Sequence, residues 1–430
     1  MKHKILKSFS ICLFILVTIL TVKIANAAAP MTVKIDGNLS DAAWEKGRAI
    51  SAFLTQKGQA PKAQTTGTIL TDNNYLYLAF RCEEPQMDTL QKSAKPRDGA
   101  LWNNDCVEIF IAPFKDAQVF YHLIVDVNGQ IYDALNRNGK DDNRYDLSIT
   151  AATQKQARSW TVEMAIPLCD LGINNAREPL MNFCRERKPV GELTSWHGWF
   201  ANPGTWQQVK LTLDSQRTVD VQEWELSEDS PLYGDNTAKS TFAAKNASST
   251  KVLLYAQQHG KWILKNTKKI QNDKGKKRNV SLDYSLLPHD RPGNVRLVFE
   301  NNNEAIFRVT YQLDLPENAL VARLQAPYYY STEKYGFAKL ENVISAASIK
   351  HASIRLLVKN PDGKLEQIKK IYPLRHSMSV GFNISSWQKG DGTIFLELFD
   401  NGKLLAHQRL IVQKRSGPFS KSSLERQTAE

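Results

Sequence analysis

Short apolar stretches separated by polar turns recur along most of the chain. Residues 75–80 and 107–111 are runs rich in aromatic and β-branched residues, a composition typical of strands. Turn sequences bound such runs, for example Asn128-Gly129. In the first half of the chain, helical signals are confined to short segments near 41–46 and 167–171. Many short strands joined by polar turns predict an all-β protein composed of sandwiches.

The second half of the chain contains an internal repeat. Lys251-Val-Leu-Leu-Tyr-Ala matches Ile354-Arg-Leu-Leu-Val-Lys. The offset between the copies is about 100 residues, which is the size of an immunoglobulin-like sandwich. We therefore predict two tandem immunoglobulin- or fibronectin-like β-sandwiches, over residues 241–316 and 320–415.

The two ends of the chain and one internal segment differ in composition from these domains. Residues 1–27 have a basic start, an apolar run and a small-residue cleavage sequence at 25–27. This pattern predicts a signal peptide. We therefore expect a protein that is secreted, periplasmic or on a bacterial cell surface, with no transmembrane segment after cleavage. The polar composition predicts a connector over 215–240 and a disordered tail over 416–430.

The formal net charge of +12 is unevenly distributed. Residues 28–214 are slightly acidic, and most of the excess of Lys and Arg lies in residues 215–430. A basic half can contact an anionic surface polymer, and the alternative is a solvated lysine-rich surface. We expect no nucleic-acid partner.

The segment 28–214 also contains four cysteines, Cys82, Cys106, Cys169 and Cys184. An exported protein meets an oxidising compartment, so we expect at least one disulfide among them. Four cysteines allow three pairings, and the sequence does not choose between these.

Four sequence blocks occur in a fixed order in the first half, at residues 35–44, 72–80, 101–111 and 160–168. In this order and spacing they resemble carbohydrate-binding module family 9 and the related DOMON domains, over about residues 30–214. The resemblance implies that residues 28–214 form a β-sandwich that binds sugars and does not cleave them.

The resemblance also implies which side chains hold the sugar. Trp102, in a polar loop, is similar to one of two tryptophans that stack on a terminal sugar, and Trp199 best matches the second. An indole offers a flat apolar surface to the apolar face of a pyranose. Asn202 is a candidate for a further hydrogen bond. Trp44 and Trp160 are expected in the core instead, since large buried aromatics are common there.

Glu108 is the third member of the implied site, as an acceptor of charge-assisted hydrogen bonds from sugar hydroxyls. An equally weighted alternative is an ion pair with Arg81 or Arg185. The family places an arginine on the following strand, where the best alignment here gives Leu123. His122 lies beside it and is expected on the opposite side of the strand. Specificity for cello- or xylo-oligosaccharides therefore does not carry over.

No sequence signature of an enzyme is present: there is no His-Glu-x-x-His, no Gly-x-Ser-x-Gly and no phosphate-binding glycine loop. We therefore expect a non-catalytic protein. Asp141, Asp142 and Asp146 lie in one polar loop that could hold a structural Ca²⁺ ion, which prefers oxygen ligands. The alternative is an ordinary exposed acidic loop.

Two other functions are consistent with the same pattern. Sandwiches of the DOMON type bind haem in electron-transfer subunits, which requires an axial ligand such as Met164 or His122. The chain could also be a structural surface protein whose sugar site has decayed, because the expected arginine is missing.

Overall fold

The computed structural model describes residues 33–113, 117–173, 178–213, 219–227, 230–245 and 249–417. The predicted signal peptide and nearly all of the predicted tail lie outside these residues. Within the described part of the chain, strands dominate and the α-helices are short, α1 at Leu168–Leu171 and α2 at Ala346–Ile349. None of the helices described has the length and apolar character needed to span a membrane. The prediction of an all-β fold is confirmed.

The N-terminal sandwich consists of two antiparallel sheets. Its strands are β1 (Arg48–Ile50), β2 (Leu54–Thr55), β3 (Thr65–Thr71), β4 (Tyr75–Glu83), β5 (Cys106–Ala112), β6 (Val119–Asp126), β7 (Ile131–Arg137), β8 (Lys140–Asp142), β9 (Thr150–Lys155), β10 (Ser159–Pro167), β11 (Leu180–Arg187), β12 (Glu192–Ser195) and β13 (Gln207–Gln208). Single 3₁₀ turns lie at Ala42–Lys46, Met87–Thr89, Leu101–Asn103, Lys188–Val190 and Pro203–Thr205. The smaller sheet has the order β1-β3-β4-β10-β9, and the larger one has the order β2-β12-β11-β5-β6-β7-β8, with β13 beside β11.

The apolar core lies between these two sheets. Successive side chains of a strand point to opposite faces, so Val107, Ile109 and Ile111 of β5 enter the core. Trp160 of β10 is completely buried there, and Trp44 is buried in a small cluster on the other side of the smaller sheet. Both tryptophans are thus packing residues, as predicted.

A buried carboxylate joins two of the four sequence blocks. Glu163 of β10 accepts hydrogen bonds from the backbone N–H groups of Asp36 and Gly37, at 3.0 and 2.9 Å, and from Nε1 of Trp44 at 2.9 Å. Burial raises the pKa of Glu163, although these hydrogen bonds act in the opposite direction. The first block, residues 35–44, and the last block, residues 160–168, are therefore in direct contact.

The second sandwich follows directly. Its strands are β14 (Val219–Glu225), β15 (Gly234–Ala244), β16 (Ser249–Gln258), β17 (Lys261–Gln271), β18 (Lys277–Leu286), β19 (Asn294–Asn301) and β20 (Glu304–Gln312), with a 3₁₀ turn at Pro288–Asp290. One sheet has the order β14-β15-β18 and the other β17-β16-β19-β20. The predicted connector over 215–240 is therefore wrong, because β14 and the start of β15 lie within it. Val219, Val221 and Trp224 supply the buried face of β14, and a bulge between Val221 and Glu223 interrupts the alternation that identifies a strand in a sequence.

The third sandwich repeats the second. Its strands are β21 (Leu320–Leu324), β22 (Tyr329–Tyr330), β23 (Tyr335–Asn342), β24 (Ser353–Lys359), β25 (Leu365–Ile371), β26 (Ser377–Asn383), β27 (Gly390–Asp400) and β28 (Lys403–Arg415). The sheets have the orders β21-β23-β26 and β22-β28-β27-β24-β25. Apart from β22, this is the strand order of the second sandwich, and the two matched sequences form the equivalent strands β16 and β24. The assignment of both domains as immunoglobulin- or fibronectin-like stays a prediction.

The N-terminal and second sandwiches contact each other directly. Tyr145 forms an isolated antiparallel bridge with Tyr311 of β20, and their rings meet edge to face at 5.0 Å. Nη2 of Arg308, also on β20, donates a hydrogen bond to Oδ2 of the buried Asp170 at 2.9 Å. The loop after β8 and helix α1 therefore dock on the edge of the second sandwich.

The expected disulfide is absent. Among the described residues, Cys82, Cys106, Cys169 and Cys184 are all buried, and none of them forms a disulfide. Cys106 lies opposite Glu186, and Cys184 lies opposite Glu108, so these two cysteines of neighbouring strands are out of register. Burial raises the pKa values of Cys106 and Cys184, so these thiols pack as small apolar groups.

Candidate functional site

The face of the larger sheet that points away from the core, here called the outer face, carries a histidine between two carboxylates. Nε2 of His122 on β6 lies 2.9 Å from Oε2 of Glu108 on β5. Nδ1 of the same ring lies 2.8 Å from Oδ2 of Asp141 on β8. The imidazole also stacks on Phe110, with ring centroids 4.5 Å apart and planes 14° apart. Side chains of β5 and β8 thus fix the ring of His122 on β6.

The two carboxylates determine the charge of this histidine. Burial lowers the pKa of His122, but the hydrogen bonds with Asp141 and Glu108 outweigh it and raise the pKa to about 9. Burial also raises the pKa of Asp141, but its hydrogen bonds with His122, Asn136 and Tyr132 hold the pKa below its usual value. At neutral pH the ring is therefore an imidazolium ion, and Asp141 is ionised.

Glu108 is buried and has neither of the arginine partners considered from the sequence. Arg81 lies on the smaller sheet and pairs with a carboxylate of its own strand, whereas Arg185 is buried beside the smaller sheet, with Nη1 3.4 Å from the carbonyl oxygen of Gln64. Leu123, at the position aligned with the family's arginine, points into the core. His122 lies on the opposite side of β6 from Leu123, as expected, and it provides the cation beside Glu108.

Trp102 lies at one side of this cluster and is available to a ligand. It belongs to the 3₁₀ turn Leu101–Asn103, and 42% of it is exposed. Its ring meets Tyr132 edge to face at 5.6 Å, and Tyr132 meets His122 at 5.5 Å. The sequence placed Trp102 in a loop outside the core, and the structure agrees.

Trp199 and Asn202 share a tight loop at the other side. Trp199 is half-buried against Phe200, with centroids 4.8 Å apart, and Phe200 in turn meets Phe110 at 6.3 Å. The backbone N–H of Trp199 donates to Oγ1 of Thr205 at 3.1 Å, which closes the loop. Asn202 is exposed, and its side chain makes no hydrogen bond with the described residues.

The predicted side chains are therefore linked by one series of ring contacts. It runs from Trp102 to Trp199 through Tyr132, His122, Phe110 and Phe200. Glu108 lies on the central strand β5 of this face. Sequence reasoning missed His122, Asp141 and Tyr132 as parts of the cluster. Alternation within β6 predicts that His122 and Leu123 face opposite sides, but only the pairing of β5, β6, β7 and β8 shows the partners of His122.

The three aspartates proposed for Ca²⁺ do not converge. Asp141 contacts His122, and Oδ1 of Asp142 accepts a hydrogen bond from Nε of Arg144 at 2.8 Å. Asp146 pairs with Nη2 of Arg97 at 2.9 Å. Because each carboxylate has a different cationic partner, the predicted calcium loop is corrected to three separate ion pairs.

The haem alternative also lacks a suitable ligand at the positions considered. Met164 is fully buried in the core between the sheets. Both ring nitrogens of His122, on the outer face, are held by carboxylates. Axial ligation needs a free sulfur or nitrogen facing a haem-sized pocket, and neither side chain provides it.

The charged His122 makes stability depend on pH. Its pKa of about 9 lies above the usual 6.5, so the stabilisation is fully present below about pH 6.5 and is lost as pH rises through about 9. We expect the free energy of unfolding of the wild-type protein to fall across this interval. His122→Gln should remove this part of the pH dependence in urea titrations at several pH values. If the free energies of unfolding of both proteins change in parallel with pH, the carboxylates do not stabilise the imidazolium form of His122.

Comparisons with known proteins agree with the sequence blocks. The family model described as "Carbohydrate family 9 binding domain-like" matches residues 35–210. A search of curated proteins found no match.

Several solved structures are similar to part of this chain. One is a carbohydrate-binding module family 9 from Caldicellulosiruptor kristjanssonii in complex with cellotriose, at 18% identity and a TM-score of 0.33, covering 43% of this chain and 92% of that one. The same module in complex with glucose has the same identity and TM-score, with 43% and 94% covered. A putative carbohydrate-binding protein from Bacteroides uniformis has 15% identity and a TM-score of 0.31, with 39% and 85% covered. The family match confirms the resemblance read from the four blocks: residues 35–210, less than half of the chain, match the carbohydrate family 9 binding domain-like family.

Proposed function

We propose that this protein is an exported, non-catalytic carbohydrate-binding protein whose sugar site lies on the outer face of the N-terminal sandwich. The observation that carries the proposal is Glu108, a buried carboxylate with one oxygen held by His122 and the other available. Oε1 accepts no hydrogen bond from the described residues. The match of residues 35–210 to a carbohydrate-binding family supports the same conclusion.

The surroundings of Glu108 suit a sugar ring. Trp102 and Trp199 offer indole surfaces that can cover the apolar faces of a pyranose. Oε1 of Glu108 can accept charge-assisted hydrogen bonds from hydroxyl groups, which are stronger and more directional than neutral ones. Asn202 adds both a donor and an acceptor at the exposed side. His122 is a positioning residue, since it fixes the carboxylate.

The same geometry favours binding over cleavage. A glycosidase needs one protonated carboxyl and a second carboxylate on opposite sides of the scissile bond. Glu108 and Asp141 instead hold the two nitrogens of one imidazolium ring. Asp141 has a lowered pKa and is therefore unsuited to act as the general acid.

The second sandwich supports a further contact with an anionic surface polymer. Near the turn between β17 and β18, five lysines are exposed, and one of them, Lys276, pairs with Asp273 at 3.6 Å. They are Lys268, Lys269, Lys274, Lys276 and Lys277. Such a cluster attracts polyanions in a salt-dependent way.

The test is a glycan array with the full chain, followed by titration of the strongest ligand. We expect Trp102→Ala and Trp199→Ala each to weaken binding by roughly 5- to 150-fold, because losing one stacked indole costs about 1–3 kcal/mol. Trp262→Ala is the matched control, since Trp262 packs against Arg296 in the second sandwich, 3.9 Å from ring centroid to guanidinium. Normal affinity in both loop variants would show that the two tryptophans do not hold the sugar. No glycan bound at all would favour the decayed-site alternative.

A further inference from the structure

A cluster of one histidine and two aspartates lies where the second and third sandwiches meet. Asp235 belongs to β15, Asp400 ends β27, and His351 follows helix α2. One ligand atom from each of the three lies within 4.8 Å of the others. Neither the sugar site nor the lysine cluster between β17 and β18 includes any of these residues.

The junction brings these side chains together through a close backbone approach. Gly234 has φ of +84°, and a Cβ there would lie 2.1 Å from Oγ of Ser348. The next N–H, of Asp235, donates to the same hydroxyl at 2.7 Å, and this hydroxyl donates to Oδ2 of Asp400 at 2.6 Å. Ser348 thus sets the spacing between the two carboxylates.

One oxygen of the cluster is buried without a hydrogen bond. Asp400 is only 5% exposed, and its Oδ1 accepts no hydrogen bond from the described residues. Nδ1 of His351 lies 2.7 Å away, but no hydrogen bond joins the two atoms. Leaving a buried carboxylate oxygen unsatisfied is costly, and buried charges are usually paired or coordinate a metal. A cation shared by this oxygen and the ring nitrogen would satisfy both.

We propose that Asp235, His351 and Asp400 bind a zinc ion that joins the second and third sandwiches. One imidazole nitrogen and two carboxylate oxygens are zinc ligands, and three protein ligands leave a fourth position for water. Ligand atoms around tetrahedral zinc are about 3.4 Å apart, a spacing that small side-chain rotations reach from the present positions.

The surroundings of the cluster favour zinc over calcium. Ca²⁺ takes six to eight oxygen ligands, whereas this cluster offers an imidazole and few oxygens. Nδ2 of Asn401 donates to Oδ2 of Asp235 at 3.3 Å, and Oγ of Ser285 donates to its Oδ1. Such hydrogen bonds orient a metal-binding carboxylate. His351 is partly exposed, which leaves a path for the ion from solvent.

The experiment titrates zinc into the chelator-treated full chain, without a histidine tag, by calorimetry. We expect uptake at this cluster and a higher melting temperature with zinc. Asp235→Asn is the decisive variant, because it keeps the contact between His351 and Asp400. It should lower the zinc affinity more than about tenfold, because loss of a residue that only hydrogen-bonds to a metal ligand already costs about that much. His351→Ala should do the same, and His407→Ala, on β28, should not.

Three results would overturn the proposal. One is a wild-type protein that takes up no zinc, and another is an Asp235→Asn variant with unchanged zinc affinity, which would leave a simple ion pair between His351 and Asp400. The third is calcium uptake in place of zinc that is lost in the same variant. If a variant fails to fold, the wild-type protein still tests the proposal: a melting temperature that zinc does not raise would contradict it.

Discussion

Replacing Trp160 with alanine should lower the free energy of unfolding of the N-terminal sandwich by about 3–5 kcal/mol, the cost of truncating a large core aromatic. Trp160 is completely buried. It lies on β10 between Cys82 of β4 and Lys155 of β9. Surrounding strands are tied by backbone hydrogen bonds, so they cannot close the cavity that alanine would leave.

Trp160→Phe is the matched control for this change. Nε1 of Trp160 is buried without a hydrogen bond from the described residues, so phenylalanine removes an unsatisfied donor while it keeps most of the ring. We expect a smaller loss of stability than for alanine. Urea unfolding followed by far-UV circular dichroism measures both. An alanine variant as stable as the wild type would place Trp160 outside the core.

Replacing Glu108 with glutamine should weaken sugar binding by roughly 10- to 150-fold, because a hydrogen bond to a charged group contributes about 1.5–3 kcal/mol. Glutamine preserves the shape and can still accept a hydrogen bond from His122. It removes the negative charge that draws sugar hydroxyls to Oε1. The measurement is calorimetric titration of the glycan that binds best to the wild-type protein.

Glu83→Gln provides the comparison, because Glu83 is partly exposed on the smaller sheet, where it pairs with Arg81. Its sugar affinity should equal that of the wild type. Equal affinities for Glu108→Gln and the wild type would mean that the carboxylate only anchors His122. The sugar would then have to bind through the tryptophans alone.

Several features of the fold follow from the sequence because they depend on local patterns. The alternation in β5 predicts which residues enter the core, and this holds for Val107 and Ile109. Turn residues such as Asp72 act locally as well, since its Oδ1 accepts hydrogen bonds from the N–H groups of Asn74 and Tyr75, both at 2.7 Å. β14 was missed because a bulge between Val221 and Glu223 breaks its alternation.

For the candidate site, the sequence alone predicted which tryptophans and which carboxylate contact a sugar. The tertiary structure showed which side chains surround them. Trp102, Trp199 and Glu108 were identified from motifs and loop placement, both of which are properties of short segments. His122 and Asp141 became part of the cluster only through the pairing of β5, β6, β7 and β8, which brings together residues distant in the chain. The pairing of β5 with β11 likewise keeps Cys106 and Cys184 out of register, and they form no disulfide. The alternation of apolar and polar residues that predicts a strand is a local property of the sequence. The register between strands depends on the whole packed sheet, and this register decides which charged side chains meet.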